Sequence, residues 1–173
     1  DMGAGVTLVS APTALQAPQG VRVIPVESAA EMHAEVERAF EEATMLVCAA
    51  AVADYTPATV APEKLSKSDG ELTSVPLVKT RDILAEMSSK KDDRIVIGFA
   101  AETNDLSRRA VDKLARKGCD AIVANDVSLS ESTFGSDTDA VLWVTGEGAE
   151  EIPCMDKQDL AYELLKRAKG LKS

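Results

Sequence analysis

Short apolar runs recur along this chain, and stretches of helical period separate them. Val6–Ser10, Val21–Val26, Met45–Ala50, Arg94–Ala100 and Ala121–Ala124 each read as a buried strand. Ser28 opens a helix with Glu31 three residues on, which is a capping box. Met32, Val36 and Phe40 follow at i, i+4 and i+8 on one helical face. Thr80 is placed to cap a helix running to about Lys90, Leu106–Lys117 is a helix stopped by Gly118, and Asp156 caps a last helix to about Lys169. Strands alternating with helices predict an α/β domain with a largely parallel sheet. Met45–Ala50 is nearly all apolar, so a central position in that sheet is expected. Glu71–Val78 is extended but broken by Pro76, the pattern of an edge or irregular strand. Ala140–Val144 and Glu150–Pro153 read as a hairpin across Gly146-Glu147-Gly148. There is no internal repeat and no linker, so residues 1–173 are expected to form one domain.

Composition narrows the function classes. Aromatic residues are only 3%, so the core must be built from Ala, Val, Leu and Ile, which suits a sheet covered by helices. The net charge of -10 argues against nucleic-acid binding through overall charge, but it leaves room for an anion held by a local basic patch. Cys48, Cys119 and Cys154 are odd in number and widely spaced, which fits neither a disulfide framework nor a zinc site. Cys48 and Cys119 read as small core residues. No apolar run reaches membrane-spanning length, and the start lacks the basic and apolar regions of a signal peptide, so a cytoplasmic protein is expected. His33 is the only histidine. It lies beside Met32, Val36 and Phe40 and is expected to be exposed, which sets aside a Ser-His-Asp triad, a Cys-His pair and a His-based metal site.

Ligands of open α/β sheets bind beyond the carboxyl ends of the strands. Three such ends carry unusual residues: Asp54, the run Gly98 to Thr103 (GFAAET), and Asn125-Asp126. Tyr55 to Asp69 is expected to be a long loop, functional or disordered, with Lys64 and Lys67 in it. Arg109, Lys113 and Lys117 form a cationic stripe at i, i+4 and i+8, beside the apolar stripe Leu106, Ala110 and Leu114. The glycines do not form a dinucleotide fingerprint. Gly3 and Gly5 precede a strand, and Gly146 and Gly148 sit in a hairpin turn.

Taken together, AAVADYTPATVAPEKL, KTRDIL, IGFAAET, the lysine pair of AVDKLARKG, CDAIVANDVS and FGSDTDAV resemble one family, the phosphopantothenate–cysteine ligases of coenzyme A biosynthesis. The stretches occur in the family's order, from about Val6 to the C-terminus. The resemblance implies a Rossmann-like three-layer α/β domain with a C-terminal β-hairpin and helix. It implies joining of 4'-phosphopantothenate to L-cysteine, with CTP as cosubstrate, Mg2+ as its ion, and an acyl-cytidylate between. FMN would belong only to a fused or partner decarboxylase. A homodimer is implied, with neither nucleic acid nor membrane as partner. Ala50 and Ala51 would let nucleotide and substrate approach the backbone. Asp54, Lys79, Thr80, Arg81, Asp82, Phe99, Lys113 and Lys117 would contact the nucleotide. Lys64 and Lys67 would act on its phosphates, within a lid over Leu65 to Glu71, and Asn125 would contact substrate. The resemblance names no metal ligand. Relatives carry Lys-x-Lys-Lys where this chain has Lys64-Leu65-Ser66-Lys67. The chain starts at what resembles the family's second strand, so it is expected to be shortened at the N-terminus relative to the family. A non-catalytic nucleotide-binding module and a nicotinamide-dependent reductase on a similar sheet are the competing readings.

Overall fold

The computed structural model of the chain describes residues 2–61, 63, 74–102, 105–126 and 136–172. The chain divides into two compact units, Asp1–Val36 with Ala51–Asp82, and Glu37–Ala50 with Ile83–Ser173.

In the first unit, β1 (Thr7–Ser10) and β2 (Arg22–Pro25) pair in parallel, with Thr7 opposite Arg22 and Ser10 opposite Pro25. Helix α1 (Ala29–Phe40) follows, and most of it belongs to this unit. Its cap is reciprocal. Ser28 Oγ accepts from the Glu31 N–H at 3.2 Å, while Glu31 Oε2 accepts from the Glu27 N–H at 2.9 Å. Those bonds, the one from Glu27 first, hold the Glu31 carboxyl below the usual carboxylate range. His33 is buried, contrary to expectation. The reason is helical phase. Seven residues separate His33 from Phe40, close to two full turns, so both lie on the face that Met32 opens.

The same unit holds a ribbon that the sequence did not reveal. Tyr55–Pro57 (β4) pairs antiparallel with Leu77–Lys79 (β5), with Tyr55 opposite Lys79 and Pro57 opposite Leu77. The expected long loop from Tyr55 therefore begins as a strand. Thr80 does not cap a helix. It clasps the ribbon, donating its hydroxyl to the Ala53 carbonyl at 2.6 Å and its N–H to the Asp54 carbonyl at 2.9 Å.

The second unit is a five-stranded sheet of order β3-β6-β7-β8-β9. Its strands are Met45–Cys48, Ile95–Glu102, Ala121–Asp126, Thr138–Thr145 and Gly148–Asp156. β3, β6 and β7 are parallel, and β8 and β9 add the antiparallel hairpin. β3 is not central, as its apolar run suggested; it is the edge of this sheet, and Val47 is 44% exposed. Alternation divides the strands between two faces. On one face Ile97, Ala121, Val123, Val141, Trp143 and Ile152 pack with Leu160, Leu164 and Ala168 of α4 (Lys157–Lys169). On the other lies α2 (Ile83–Ser89), with α3 (Leu106–Lys117) against it. Gly98 marks that contact. A Cβ there would meet Leu84 Cδ2 at 2.5 Å and Ile122 Cδ1 at 3.0 Å, so the missing side chain lets α2 close on the sheet. The unit is thus three-layered, with the parallel strands on one side of the sheet and the antiparallel hairpin on the other.

α3 ends where the sequence predicts. Gly118 adopts φ 67° and donates its N–H to the Leu114 carbonyl at 2.9 Å. Asp156 Oδ1 accepts from the Gln158 N–H at 2.8 Å and caps α4. A bidentate pair from Arg167 to Glu150, with Glu163 also on Arg167, ties α4 to β9. At the amino edge of the parallel strands, Asp120 brackets Val96. Its N–H donates to the Val96 carbonyl at 2.8 Å, and its Oδ2 accepts from the Val96 N–H at 2.7 Å. Lys91 Nζ completes the clasp on Asp120 Oδ1 at 2.7 Å and on the Gly118 carbonyl at 2.9 Å. Asp120→Ala leaves the half-buried Lys91 ammonium with the Gly118 carbonyl but without its charge partner, and strands the Val96 N–H. It is expected to cost about 2–3 kcal/mol, read as a lower urea midpoint with an unchanged m-value.

Candidate functional site

The carboxyl ends of β3, β6 and β7 lie at one edge of the second unit's sheet. The strands part there. β3 pairs with β6 only as far as Cys48 opposite Gly98, while β6 continues beside β7 to Glu102. One residue past the end of the β3 pairing, the Phe99 carbonyl accepts a 2.7 Å hydrogen bond from Lys113 Nζ. A side-chain ammonium therefore satisfies a backbone acceptor at the point where the ladder thins.

Lys113 reaches this point because of the phase of α3. Ala110 is fully buried and Leu106 and Leu114 are half-buried, which seats the helix. Arg109, Lys113 and Lys117 then fall on the neighbouring stripe. Arg109 is exposed, whereas Lys113 and Lys117 are half-buried. The side chain of Phe99 points to the α4 face, where it packs against the core. Asn125, the next-to-last residue of β7, lies opposite Ala101 on one side and Val141 on the other. The structure thus brings together Phe99, Lys113 and Asn125 at the edge where Ala50 follows β3.

The first unit collects another group of the expected residues. The Thr80 clasp sets Asp54 at the foot of the β4–β5 ribbon, beside Lys79, Arg81 and Asp82. Asp54, Lys79, Arg81 and Asp82 are exposed and Thr80 is half-buried. Ala51 belongs to this unit and is exposed. Lys64, Lys67 and the expected lid over Leu65 to Glu71 lie outside the described residues. What sequence reading missed is β4, whose partner is some twenty residues away. The local signals were Pro57, the last residue of β4, and Pro76, just before β5.

Among the described residues, no disulfide forms. Cys119 is buried, and burial pushes its thiol up, away from thiolate chemistry. Cys48 is half-buried and Cys154 exposed. Among the described residues, no three His, Cys, Asp or Glu side chains lie close enough to hold a metal ion. Among them, no helix is long and apolar enough to cross a membrane.

Residues 1–171 match the DNA/pantothenate metabolism flavoprotein C-terminal domain family. The chain belongs to that family. It is 42% identical, over 172 residues, to the coenzyme A biosynthesis bifunctional protein CoaBC of Bacillus subtilis, covering 98% of this chain and 42% of that protein. The Escherichia coli K12 protein of the same name is 41% identical over 166 residues, covering 94% of this chain and 41% of the relative. The chain thus spans less than half the length of these curated relatives. The crystal structure of a CoaBC C-terminal domain superposes with a TM-score of 0.78 at 35% identity, covering 95% of this chain and 73% of that one. A Cab2 mutant in complex with phosphopantothenate-cysteine shares the fold, with a TM-score of 0.68 at 16% identity over 88% of this chain and 54% of that one.

In this chain the Lys113–Phe99 bond is part of the scaffold as well as the edge. Lys113→Met keeps the length of the side chain and removes the donor. It is expected to cost about 1 kcal/mol, below the range for a fully buried charged bond because the site is partly wet. Chemical denaturation checks this, and a loss above that of a neutral surface substitution is the expected result.

Proposed function

We propose that the chain is the ligase part of a coenzyme A biosynthesis protein, which joins the carboxylate of 4'-phosphopantothenate to the amine of L-cysteine with CTP. The observation that carries this reading is the 42% identity to a bifunctional CoaBC protein over nearly the whole chain. The matched span covers 98% of the chain. The Cab2 complex with phosphopantothenate-cysteine, on the same fold, agrees with the product.

A carboxylate is a poor electrophile and must be activated. A carboxylate oxygen attacks the α-phosphorus of CTP, the bond to pyrophosphate breaks, and an acyl-cytidylate forms. The cysteine nitrogen then attacks the acyl carbon, gives up a proton, and the C–O bond to CMP breaks. Negative charge builds on phosphate oxygens in the first step, so fixed cations matter most there. Lys64 and Lys67 are assigned to the phosphates, and Lys113 and Lys117 to holding the nucleotide. Lys113 is suited to this because its ammonium is already fixed by the Phe99 carbonyl and need not be ordered on binding. Asp54 and the turn Lys79, Thr80, Arg81 and Asp82 are assigned to nucleotide contacts, and so is Phe99. Ala50 and Ala51 present little side chain, so substrate can approach the backbone, and Asn125 offers an amide to it. The lid over Leu65 to Glu71 would exclude the water that hydrolyses an acyl-nucleotide. Mg2+ would neutralise the triphosphate.

The product carries a free carboxylate and a thiol, the substrate that a flavin-dependent decarboxylase would consume. FMN belongs to that fused or partner domain. A cytoplasmic homodimer is the proposed setting.

The test is pyrophosphate and CMP release from CTP and phosphopantothenate with cysteine. Lys64→Gln keeps length and polarity but removes the charge, so turnover is expected to fall roughly 100-fold or more with the fold intact. Near-normal turnover in Lys64→Gln would remove Lys64 from the phosphates.

A further inference from the structure

One of the family-matching stretches, FGSDTDAV, ends in residues that the mechanism above does not use. Asp139 is among them, near the start of β8. β8 runs antiparallel to β7, so its first residues stand at the carboxyl edge of the parallel strands. Register fixes the face. Asn125 is opposite Val141, and Val141 packs on the α4 side of the sheet, so Asn125 points there too. The β8–β9 register shifts between Asp139 and Val141, with three steps on β9 (Ile152 to Met155) against two on β8, so the extra residue lies on β9 and Asp139, two before Val141, keeps its side. Its β9 partner, Met155, also packs on that side, an independent check. Asn125 and Asp139 are therefore diagonal neighbours, roughly 7 Å apart and within reach of one small ligand. Ala101 flanks Asn125 with almost no side chain.

The chemistry of this spot is that of an acceptor. Asp139 Oδ1 takes one hydrogen bond from the Ala140 N–H at 3.0 Å, which leaves lone pairs on both oxygens. Burial already pushes the carboxyl up, opposed by that bond and by the charge of Lys157, which forms no ion pair with it among the described residues. A half-buried carboxylate repels phosphate and attracts a cation. The cations of α3 belong to the opposite layer of the sheet, on the side of α2. Anionic groups are thus favoured from one face of the edge and a cationic group from the other. Of the three reactants in the proposed reaction, only the amino acid carries an ammonium.

We infer that Asp139, with Asn125, forms the subsite that holds the primary ammonium of the amino-acid substrate, on the α4 face of the sheet edge. This rests on the ligase reading and adds to it a residue and a location. The amine must bind as the ammonium before it loses its proton and attacks, so Asp139 acts on cysteine and not on nucleotide activation.

The experiment separates the two half-reactions. Pyrophosphate release from CTP and phosphopantothenate without cysteine is measured first, then product formation against cysteine concentration, in the unchanged protein and in Asp139→Asn. The asparagine keeps the acceptor for the Ala140 N–H and removes a charge that burial disfavours, so its Tm should equal or exceed that of the unchanged protein. Pyrophosphate release and the KM for CTP should stay within about twofold, and the KM for cysteine should rise about tenfold or more, the scale of losing one charged hydrogen bond. Asp139→Ser is the second variant and should behave alike, with Tm reporting its fold. An unchanged KM for cysteine in both variants overturns the inference alone. An equal loss in both half-reactions overturns it too, because it marks a structural role. No pyrophosphate or product from the unchanged protein overturns the ligase reading, and the inference with it.

Discussion

The hydrogen bond from Lys113 to the Phe99 carbonyl is the interaction on which the candidate site of the second unit depends. Parallel strands must diverge at their carboxyl ends to make a crevice, and divergence leaves backbone acceptors without ladder partners. Here β3 stops pairing at Gly98, and the next carbonyl is taken by a lysine from the covering helix. One bond thus satisfies the strand end and brings a positive charge to this edge of the sheet. Gly98 acts in the same place by a different route, because its lack of a side chain lets Leu84 and α2 press onto β6. The edge is shaped by one residue that adds a charge and one that adds nothing.

Charge is distributed unevenly for a reason the fold supplies. The chain carries -10 overall, yet α3 presents Arg108, Arg109, Lys113, Arg116 and Lys117 against a single acid, Asp112. A phosphate ligand would be repelled by the average surface and drawn to this helix. On the α4 face of the same sheet, Asn125 and Asp139 offer acceptors instead. A sheet is well suited to keeping such opposite environments close, since neighbouring residues of a strand point to opposite sides.

Much of this was legible in the sequence where the signal is local. α3 was read to the residue because its stripe of period 3.6 and Gly118 agree. The capping box at Ser28 and Glu31 and the cap at Asp156 formed as expected. Non-local choices were not legible. Thr80 has the chemistry of a cap, but its hydroxyl is taken by Ala53, a carbonyl distant in sequence. The run at Met45 is apolar enough for a central strand, yet sheet order is decided by pairing and not by composition. His33 looked peripheral by inspection of neighbours, although its seven-residue spacing to Phe40 already put it on the buried face. For the site, the motifs gave residue types, and only register showed that Asn125 and Asp139 share a face.

The central claim is that the carboxylate is activated as an acyl-cytidylate before the amine attacks. The most direct test follows oxygen. Phosphopantothenate labelled with 18O in its carboxylate is turned over with CTP and cysteine, and the nucleotide and phosphate products are examined by mass spectrometry. Attack of the carboxylate on the α-phosphorus leaves one labelled oxygen in CMP and none in pyrophosphate. Label in inorganic phosphate, with CDP as the nucleotide product, would mean attack on the terminal phosphorus and would contradict the account.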